Sequence, residues 1–169
     1  MTAGSTYTPL ATTTVSNSTT TTVTFSSISG SYTDLVLIGG SLGMTGDGTM
    51  RMRLNSNTGT NYSFTSLYGN GTSALSGRDS NRDNIPLNYY VVLTSDNNGS
   101  LITNFENYSN TTTYKTVLSR FGRAAAGTEA IVGLWRSTSA ITQIDISNYN
   151  TGIYFQSGST FTLYGITAA

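Results

Sequence analysis

The sequence of 169 residues contains neither cysteine nor histidine. The absence of cysteine excludes disulfides, thiolate metal sites and cysteine nucleophiles, and it leaves the redox compartment open. The absence of histidine removes the usual general base and the commonest metal ligand, so a serine nucleophile would lack the base that activates it. We therefore expect a protein that is not an enzyme and that holds no cofactor.

Charged residues are scarce as well: eight basic and eight acidic side chains give a net charge of zero. Nucleic-acid binding needs a basic surface, and so does attraction to an anionic membrane. We therefore expect neither nucleic acid nor a membrane as a partner. The sequence also begins without a basic stretch followed by an apolar one, and no apolar run approaches membrane length, which predicts neither a signal peptide nor an anchor.

Polarity comes instead from 31 threonines, 23 serines, 15 asparagines and 18 glycines, which together make up over half of the chain. Threonine favours pleated surfaces, whereas glycine, asparagine and serine favour turns. The same bias occurs in disordered low-complexity segments, but 11 tyrosines, six phenylalanines and regular apolar alternation oppose disorder here. The composition therefore predicts a folded all-β protein.

Apolar and polar residues alternate in short segments, as they do in half-buried strands. In the last segment the alternation places Phe161, Leu163 and Gly165 on one face. The stretch 35–38 is apolar on both faces, which predicts a central strand covered above and below. Outside two predicted hairpins, the predicted strands are 6–15, 20–28, 33–42, 112–121, 129–136, 141–147 and 160–166.

Two regions resemble β-hairpins. Residues 50–69 contain two alternating segments around a turn, and residues 85–94 and 101–108 flank a second turn. Between these hairpins, residues 69–84 are rich in glycine, asparagine and charge and are predicted to form a long polar loop.

About ten short strands at spacings of roughly 8–12 residues predict a jelly-roll-like antiparallel β-sandwich. We expect one domain over residues 6–169, preceded by a short polar arm over residues 1–5. The single tryptophan, Trp135, lies in a strand that is apolar on both faces, so we expect it in the core rather than in a ligand platform.

Residues 79–84 place oxygen-bearing side chains at alternate positions, as at the beginning of a calcium-binding loop. The sixth position is Asn84 where that loop requires glycine, and the twelfth is Tyr90 where it requires glutamate. Arg78 and Arg82 are also positioned to neutralise the two aspartates of the segment. We therefore expect a loop held by arginine–aspartate pairs and no metal.

The sequence raises two further kinds of site. Glycoside hydrolysis needs paired carboxylates that face each other across a cleft, and the only glutamates, Glu106 and Glu129, lie in no recognisable motif. Exposed tyrosines on β-loops could bind a glycan by stacking, although tyrosine is also a common half-buried strand residue. The candidates for glycan binding are Tyr89, Tyr90, Tyr108, Tyr149 and Tyr154.

The edges of the predicted sandwich favour association. Proteins usually protect edge strands with charge, whereas the edges expected here carry mainly threonine, asparagine and Pro9. Uncharged faces can meet identical faces without desolvating ions, so we expect a symmetric homo-oligomer. An interface without charge also suits firm attachment to a larger assembly.

Several segments together resemble a family of small virion proteins of tailed bacteriophages. They are YTPLA at 7–11, YTDL at 32–35, RLN at 53–55 with GTNYS at 59–63, LYGNG at 67–71 and GSTFTLYGI at 158–166. The resemblance runs nearly from end to end. It implies a jelly-roll-like sandwich displayed on the virion, as a capsid decoration (cement) protein or as part of a tail fibre or spike, without catalytic residues.

Of these two roles we expect decoration, because the chain enters its β-domain within a few residues and contains no heptads and no shaft repeats. The expected protein is a homotrimer on the outer capsid surface that binds the major capsid protein and stabilises its lattice. The alternative is a receptor- or glycan-binding module of a tail fibre or spike.

Overall fold

The computed structural model describes residues 6–124 and 126–167, and within them the regular secondary structure consists of β-strands. The predicted arm over residues 1–5 lies outside the described residues. The strands are β1 (Tyr7–Thr14), β2 (Thr22–Phe25), β3 (Asp34–Leu42), β4 (Met50–Leu54), β5 (Tyr62–Gly69), β6 (Ala74–Arg82), β7 (Ile85–Pro86), β8 (Gly99–Phe105), β9 (Lys115–Arg123), β10 (Gly127–Trp135), β11 (Ile144–Asn148) and β12 (Thr160–Ile166). No helix that could span a membrane occurs in this part of the chain.

The strands form two antiparallel sheets of unequal size. The large sheet has eight strands in the order β1-β12-β3-β8-β9-β10-β5-β6, and the small sheet has four in the order β2-β11-β4-β7. The sheets pack together around one hydrophobic core. The predicted all-β, antiparallel β-sandwich of a single domain is confirmed.

The core contains the side chains that the alternation assigned to it. Phe161 and Leu163 of β12 are buried, and the ring of Tyr32 packs where a Cβ on Gly165 would lie. Trp135 is also buried and stacks on Tyr62, with ring centroids 6.1 Å apart. The predicted core position of Trp135 is confirmed.

Neither predicted hairpin forms. Strand β4 belongs to the small sheet and β5 to the large one, because the chain crosses between the sheets through Asn55 and Ser56, which both have positive φ. In the second region only Ile85–Pro86 is a strand, and β8 pairs with β3 and β9 instead. Alternation predicted the strands but left their pairing partners undetermined.

The predicted polar loop over residues 69–84 is largely strand β6, which pairs with β5 across the whole of that strand. The side chain of Asn70 closes the turn between them, because its Oδ1 accepts hydrogen bonds from the N–H groups of Thr72 (3.0 Å) and Ser73 (2.7 Å). Side chains of β6 are mostly exposed, which explains why the segment lacks the apolar alternation of a strand.

Strand β3 is third in the large sheet, but the small sheet covers only one of its faces. Leu35 and Leu37 are buried in the core. On the opposite face Val36 is only 4% exposed, whereas Ile38 is 38% exposed. The expectation that this strand is covered above and below therefore holds at Val36 and is wrong at Ile38, which contributes to an exposed surface instead.

Candidate functional site

The large sheet exposes apolar side chains on its outer face, the side turned away from the small sheet. We define this outer face by two adjacent rows of register partners that run from β12 to β6. The first row is Tyr164, Val36, Asn104, Leu118, Val132, Thr65 and Arg78, and the second is Thr162, Ile38, Ile102, Arg120, Ala130, Leu67 and Ser76.

The centre of the outer face is both apolar and accessible. Leu118 and Val132 are register partners on β9 and β10, and they are 40% and 48% exposed. Ile38 and Leu67 are likewise exposed on either side of this pair. Contiguous apolar surface of this kind marks an interaction site more often than single exposed residues do.

The charges of the outer face have one sign. Arg78 and Arg120 are the charged residues of the two rows, all of whose members the structure describes, and both are exposed. Within the described part of the chain neither arginine forms an ion pair; the pairs that do form are those of Arg53, Arg82 and Arg123. The outer face therefore presents two guanidinium groups whose hydrogen-bonding capacity is open to a partner.

A second feature is a pocket at the β7 edge of the small sheet, with a volume of about 260 Å³. The β4–β11 pairing sets Arg51 opposite Ser147, which brings the following loop and its Tyr149 to this edge. The polar and aromatic residues that line it include Arg51, Arg82, Asn84, Asn88, Tyr89 and Tyr149.

Tyr149 is held in this pocket by both arginines. The guanidinium carbon of Arg51 lies 5.4 Å from the centroid of the Tyr149 ring, within the range of a cation–π interaction. Arg51 Nε also donates to Ser147 Oγ (3.1 Å), and Arg82 Nη2 donates to the Tyr149 hydroxyl (3.4 Å). The ring is thus fixed while half of its surface stays accessible.

Two of the five candidate tyrosines, Tyr89 and Tyr149, line the pocket. Tyr108 is buried and its hydroxyl donates to the Ser29 carbonyl, so it is a core residue. Tyr90 packs against the rings of Tyr68 and Tyr89, and Tyr154 lies apart.

Sequence reasoning missed Arg51 and Arg82 as pocket residues. The alternation of β4 shows only that Arg51 points away from the core. Its approach to Tyr149 depends on the β4–β11 register, which joins residues about 96 positions apart in the chain.

Residues 79–84 do not form a calcium-binding loop, because most of the segment is the end of strand β6. Asp79 pairs with Arg82 at 3.1 Å, as the sequence predicted, but Asp83 pairs with Arg53 rather than with a neighbour. Burial raises the pKa of Asp83, but the hydrogen bonds from Arg53 and Asn84 and the positive charge of Arg53 together outweigh it, so the pKa is lowered. No group of three or more metal-ligating side chains gathers within residues 6–124 and 126–167.

The two glutamates do not face each other across a cleft. Glu129 pairs in register with Phe121, which pairs with Leu101 of β8. Glu106 follows the last residue of β8, five residues after Leu101, and lies about 17 Å from Leu101 at the rise of a strand. Glu129 is buried, and its Oε2 accepts hydrogen bonds from the backbone of residues 89–91. It fixes a loop and is not arranged as one of a catalytic pair.

No protein-family model matches the sequence, and no curated protein is significantly similar to it. The resemblance to phage virion proteins therefore stays a prediction from the sequence. The outer face and the pocket are the features of the structure that bear on its function.

Proposed function

We propose that this protein is a non-enzymatic structural protein of a phage virion, a capsid decoration protein that binds the major capsid protein and stabilises its lattice. The observation that carries the proposal is the outer face, which combines exposed Leu118 and Val132 with Arg78 and Arg120, neither of which forms an ion pair with a described residue. A surface of this kind fits a protein partner that offers apolar groups and carboxylates.

The outer side of the large sheet approaches the size of such a contact. Seven strands at a spacing of about 4.8 Å and about seven residues of strand length give this whole side roughly 700 Å², and the two rows of the outer face are its centre. A standard specific interface buries about 800 Å² on each partner. A contact centred on the outer face and extended over the rest of this side therefore comes close to the standard size.

Charge argues against two copies of the chain meeting through this face. A symmetric face-to-face dimer would bury the Arg78 and Arg120 side chains of both copies, and the two rows offer no carboxylate to pair with them. Burying unpaired charges costs several kcal/mol for each ion. An acidic partner surface removes this cost, and arginine pairs with carboxylates through two parallel hydrogen bonds.

Self-association is assigned to a different part of the molecule. Among the described residues strand β1 is one outer strand of the large sheet and carries no charge, whereas the strand at the opposite edge, β6, carries Arg78, Asp79 and Arg82. Charged edges resist pairing and uncharged ones permit it. We place the contacts of the proposed homotrimer at β1, which leaves the outer face free for the capsid.

Charge reversal on the outer face tests the proposal. The double variant Leu118→Glu/Arg120→Glu should reduce co-sedimentation with capsids stripped of this protein at least tenfold, because it removes an apolar contact and repels carboxylates. Thr58→Glu, at an exposed loop position, adds a negative charge elsewhere and should bind normally. Equal binding of the double variant and the wild type would refute the assignment of the outer face.

The stabilising role has its own readout. A protein that binds the assembled lattice raises the lattice's apparent stability with occupancy by mass action. Stripped capsids should release their DNA at a lower temperature and recover when the wild-type protein is added back. Stripped capsids that resist heat as well as occupied ones would exclude a cementing role.

The second candidate function is that of a receptor- or glycan-binding module of a tail fibre or spike. The pocket favours it, because Tyr89 and Tyr149 stand together there beside Arg51. An antibody label confined to the tail tip of virions would support this alternative and oppose decoration.

A further inference from the structure

We propose that the pocket between Arg51, Arg82, Tyr89 and Tyr149 binds a monosaccharide unit that carries one carboxylate, such as a uronic acid. The inference names the ligand class for the glycan-binding alternative, and it is independent of the capsid contact because none of the residues that line the pocket belongs to the two rows of the outer face.

The charge balance of the pocket calls for one negative charge. Arg82 is neutralised by Asp79, whose Oδ2 lies 3.1 Å from its Nη1. Arg51 has no carboxylate partner among the described residues, and none of the residues that line the pocket is acidic. One uncompensated positive charge matches a carboxylate better than a phosphate monoester, which carries about −1.5 to −2 at pH 7.

The guanidinium of Arg51 is oriented in advance. Its Nε is occupied by Ser147 Oγ at 3.1 Å, and its plane is held beside the Tyr149 ring. The terminal nitrogens form no hydrogen bond within the described chain and remain available for a bidentate bond to a carboxylate. Little side-chain entropy is then lost when the ligand binds.

The aromatic residues provide the apolar part of the site. The Tyr89 ring is packed against Phe64 and Tyr90, with centroid distances of 5.0 and 4.9 Å, yet 42% of the residue is exposed. Tyr149, at 49% exposure, also lines the pocket. Rigid, half-exposed rings of this kind accept the apolar face of a sugar while their hydroxyls remain close to its polar edge.

The volume limits the size of the ligand. At about 260 Å³ the pocket lies just below the range of about 300–1,000 Å³ that holds drug-sized molecules. It therefore suits one sugar unit. Asn88 shapes the floor but is not free to bind, because its Oδ1 accepts from Met50 N and its Nδ2 donates to the Val91 carbonyl.

The test is a titration of the full chain followed by NMR, with D-glucuronate, D-glucose and inorganic phosphate as probes at low salt. Glucuronate should shift the Arg51 Nε–H and Tyr149 ring signals in a saturable way, glucose at least tenfold more weakly, and phosphate without involving the tyrosine rings. Equal binding of glucose and glucuronate, or no saturation by glucuronate, would overturn the proposal.

Two variants localise the binding. Arg51→Gln should weaken glucuronate binding about 10- to 100-fold, the range for loss of a charge-assisted hydrogen bond. Arg120→Gln removes the same charge from the outer face and should leave glucuronate affinity unchanged while it weakens capsid binding. If Arg120→Gln weakened glucuronate binding as much as Arg51→Gln, the assignment of the pocket would be wrong, whatever the result with capsids.

Discussion

Glu129 shows how a single buried carboxylate organises a loop. Its Oε2 accepts hydrogen bonds from the N–H groups of Tyr89 (2.8 Å), Tyr90 (3.0 Å) and Val91 (3.3 Å), and its Oε1 accepts one from Ser66 Oγ. These backbone N–H groups stabilise the buried carboxylate in the way that a neighbouring cation would. One side chain of the large sheet thereby fixes the loop that presents Tyr89 to the pocket.

Glu129→Gln should lower the free energy of unfolding by about 2–3 kcal/mol, because charge-assisted hydrogen bonds are lost and the amide NH₂ meets backbone donors. The denaturant midpoint and the hydrogen-exchange protection of the amides of residues 89–91 measure this effect. Glu106→Gln, at an exposed position, is the matched control and should change stability by less than about 0.5 kcal/mol. Unchanged protection in Glu129→Gln would contradict the role given to this carboxylate.

Tyr62 links stability to alkaline pH. Burial raises its pKa to about 12, against a lowering effect of the hydrogen bond with Leu54. The folded state therefore keeps the proton while the unfolded state loses it near pH 10. The stabilisation is complete below pH 10 and falls by roughly 2–3 kcal/mol between pH 10 and about 12.

Tyr62→Phe should remove this contribution to the fall in the free energy of unfolding at alkaline pH. At neutral pH the variant should be less stable by about 1–3 kcal/mol, because the buried N–H of Leu54 loses the hydroxyl that accepts its hydrogen bond at 3.1 Å. Urea unfolding from pH 7 to 11.5 measures both effects. Tyr114→Phe changes an exposed tyrosine and should lose free energy of unfolding with alkaline pH as steeply as the wild type does. If the wild type and both variants lost it equally steeply, Tyr62 would be excluded as the cause.

The residue scale also shows where sequence reasoning stops. Trp135 was predictable as a core residue because its strand is apolar on both faces. Tyr89 and Tyr149 were predictable only as two of five candidates, since their distance depends on the packing of separate loops. Arg51 gave no functional signal, because an arginine that alternates with buried methionines is an ordinary exposed strand residue.

At the scale of the strands, the sequence predicted where strands occur more accurately than which strands pair with each other. Strands β1, β9, β10 and β12 appear close to their expected bounds, because alternation is a local property. The hairpin predicted over residues 50–69 was wrong, because β4 finds its partners β11 and β7 in another sheet. Strand β6 was missed because it has little apolar alternation and is held mainly by its ladder with β5.

The uncharged outer strand β1 leads to a prediction about assembly. Thr12→Lys should convert the proposed trimer to monomers, because each copy would have to desolvate an ammonium group at the interface. Thr12 is exposed, and its hydroxyl shares one hydrogen bond of 3.0 Å with that of Thr162, so the fold should persist. Thr12→Asn keeps the edge neutral and should remain trimeric. Sedimentation equilibrium distinguishes these outcomes, and a trimeric Thr12→Lys would move the contact away from β1.

At the scale of the whole molecule, the unequal sheets separate the proposed functions. The small sheet covers one side of the large sheet, and the other side is the outer face, whose apolar rows and two arginines we assign to the capsid. The pocket lies at the edge of the small sheet, where a seated protein would leave it accessible to solutes. One molecule can therefore attach through one surface and bind a sugar through another.

The measurement that tests the central proposal most directly is cryo-electron microscopy of virions that contain this protein. The account predicts copies spread regularly over the head, with the outer face against the major capsid protein and capsid carboxylates beside Arg78 and Arg120. Density for the protein at the tail tip alone, or on the head with the outer face turned to solvent, would contradict it.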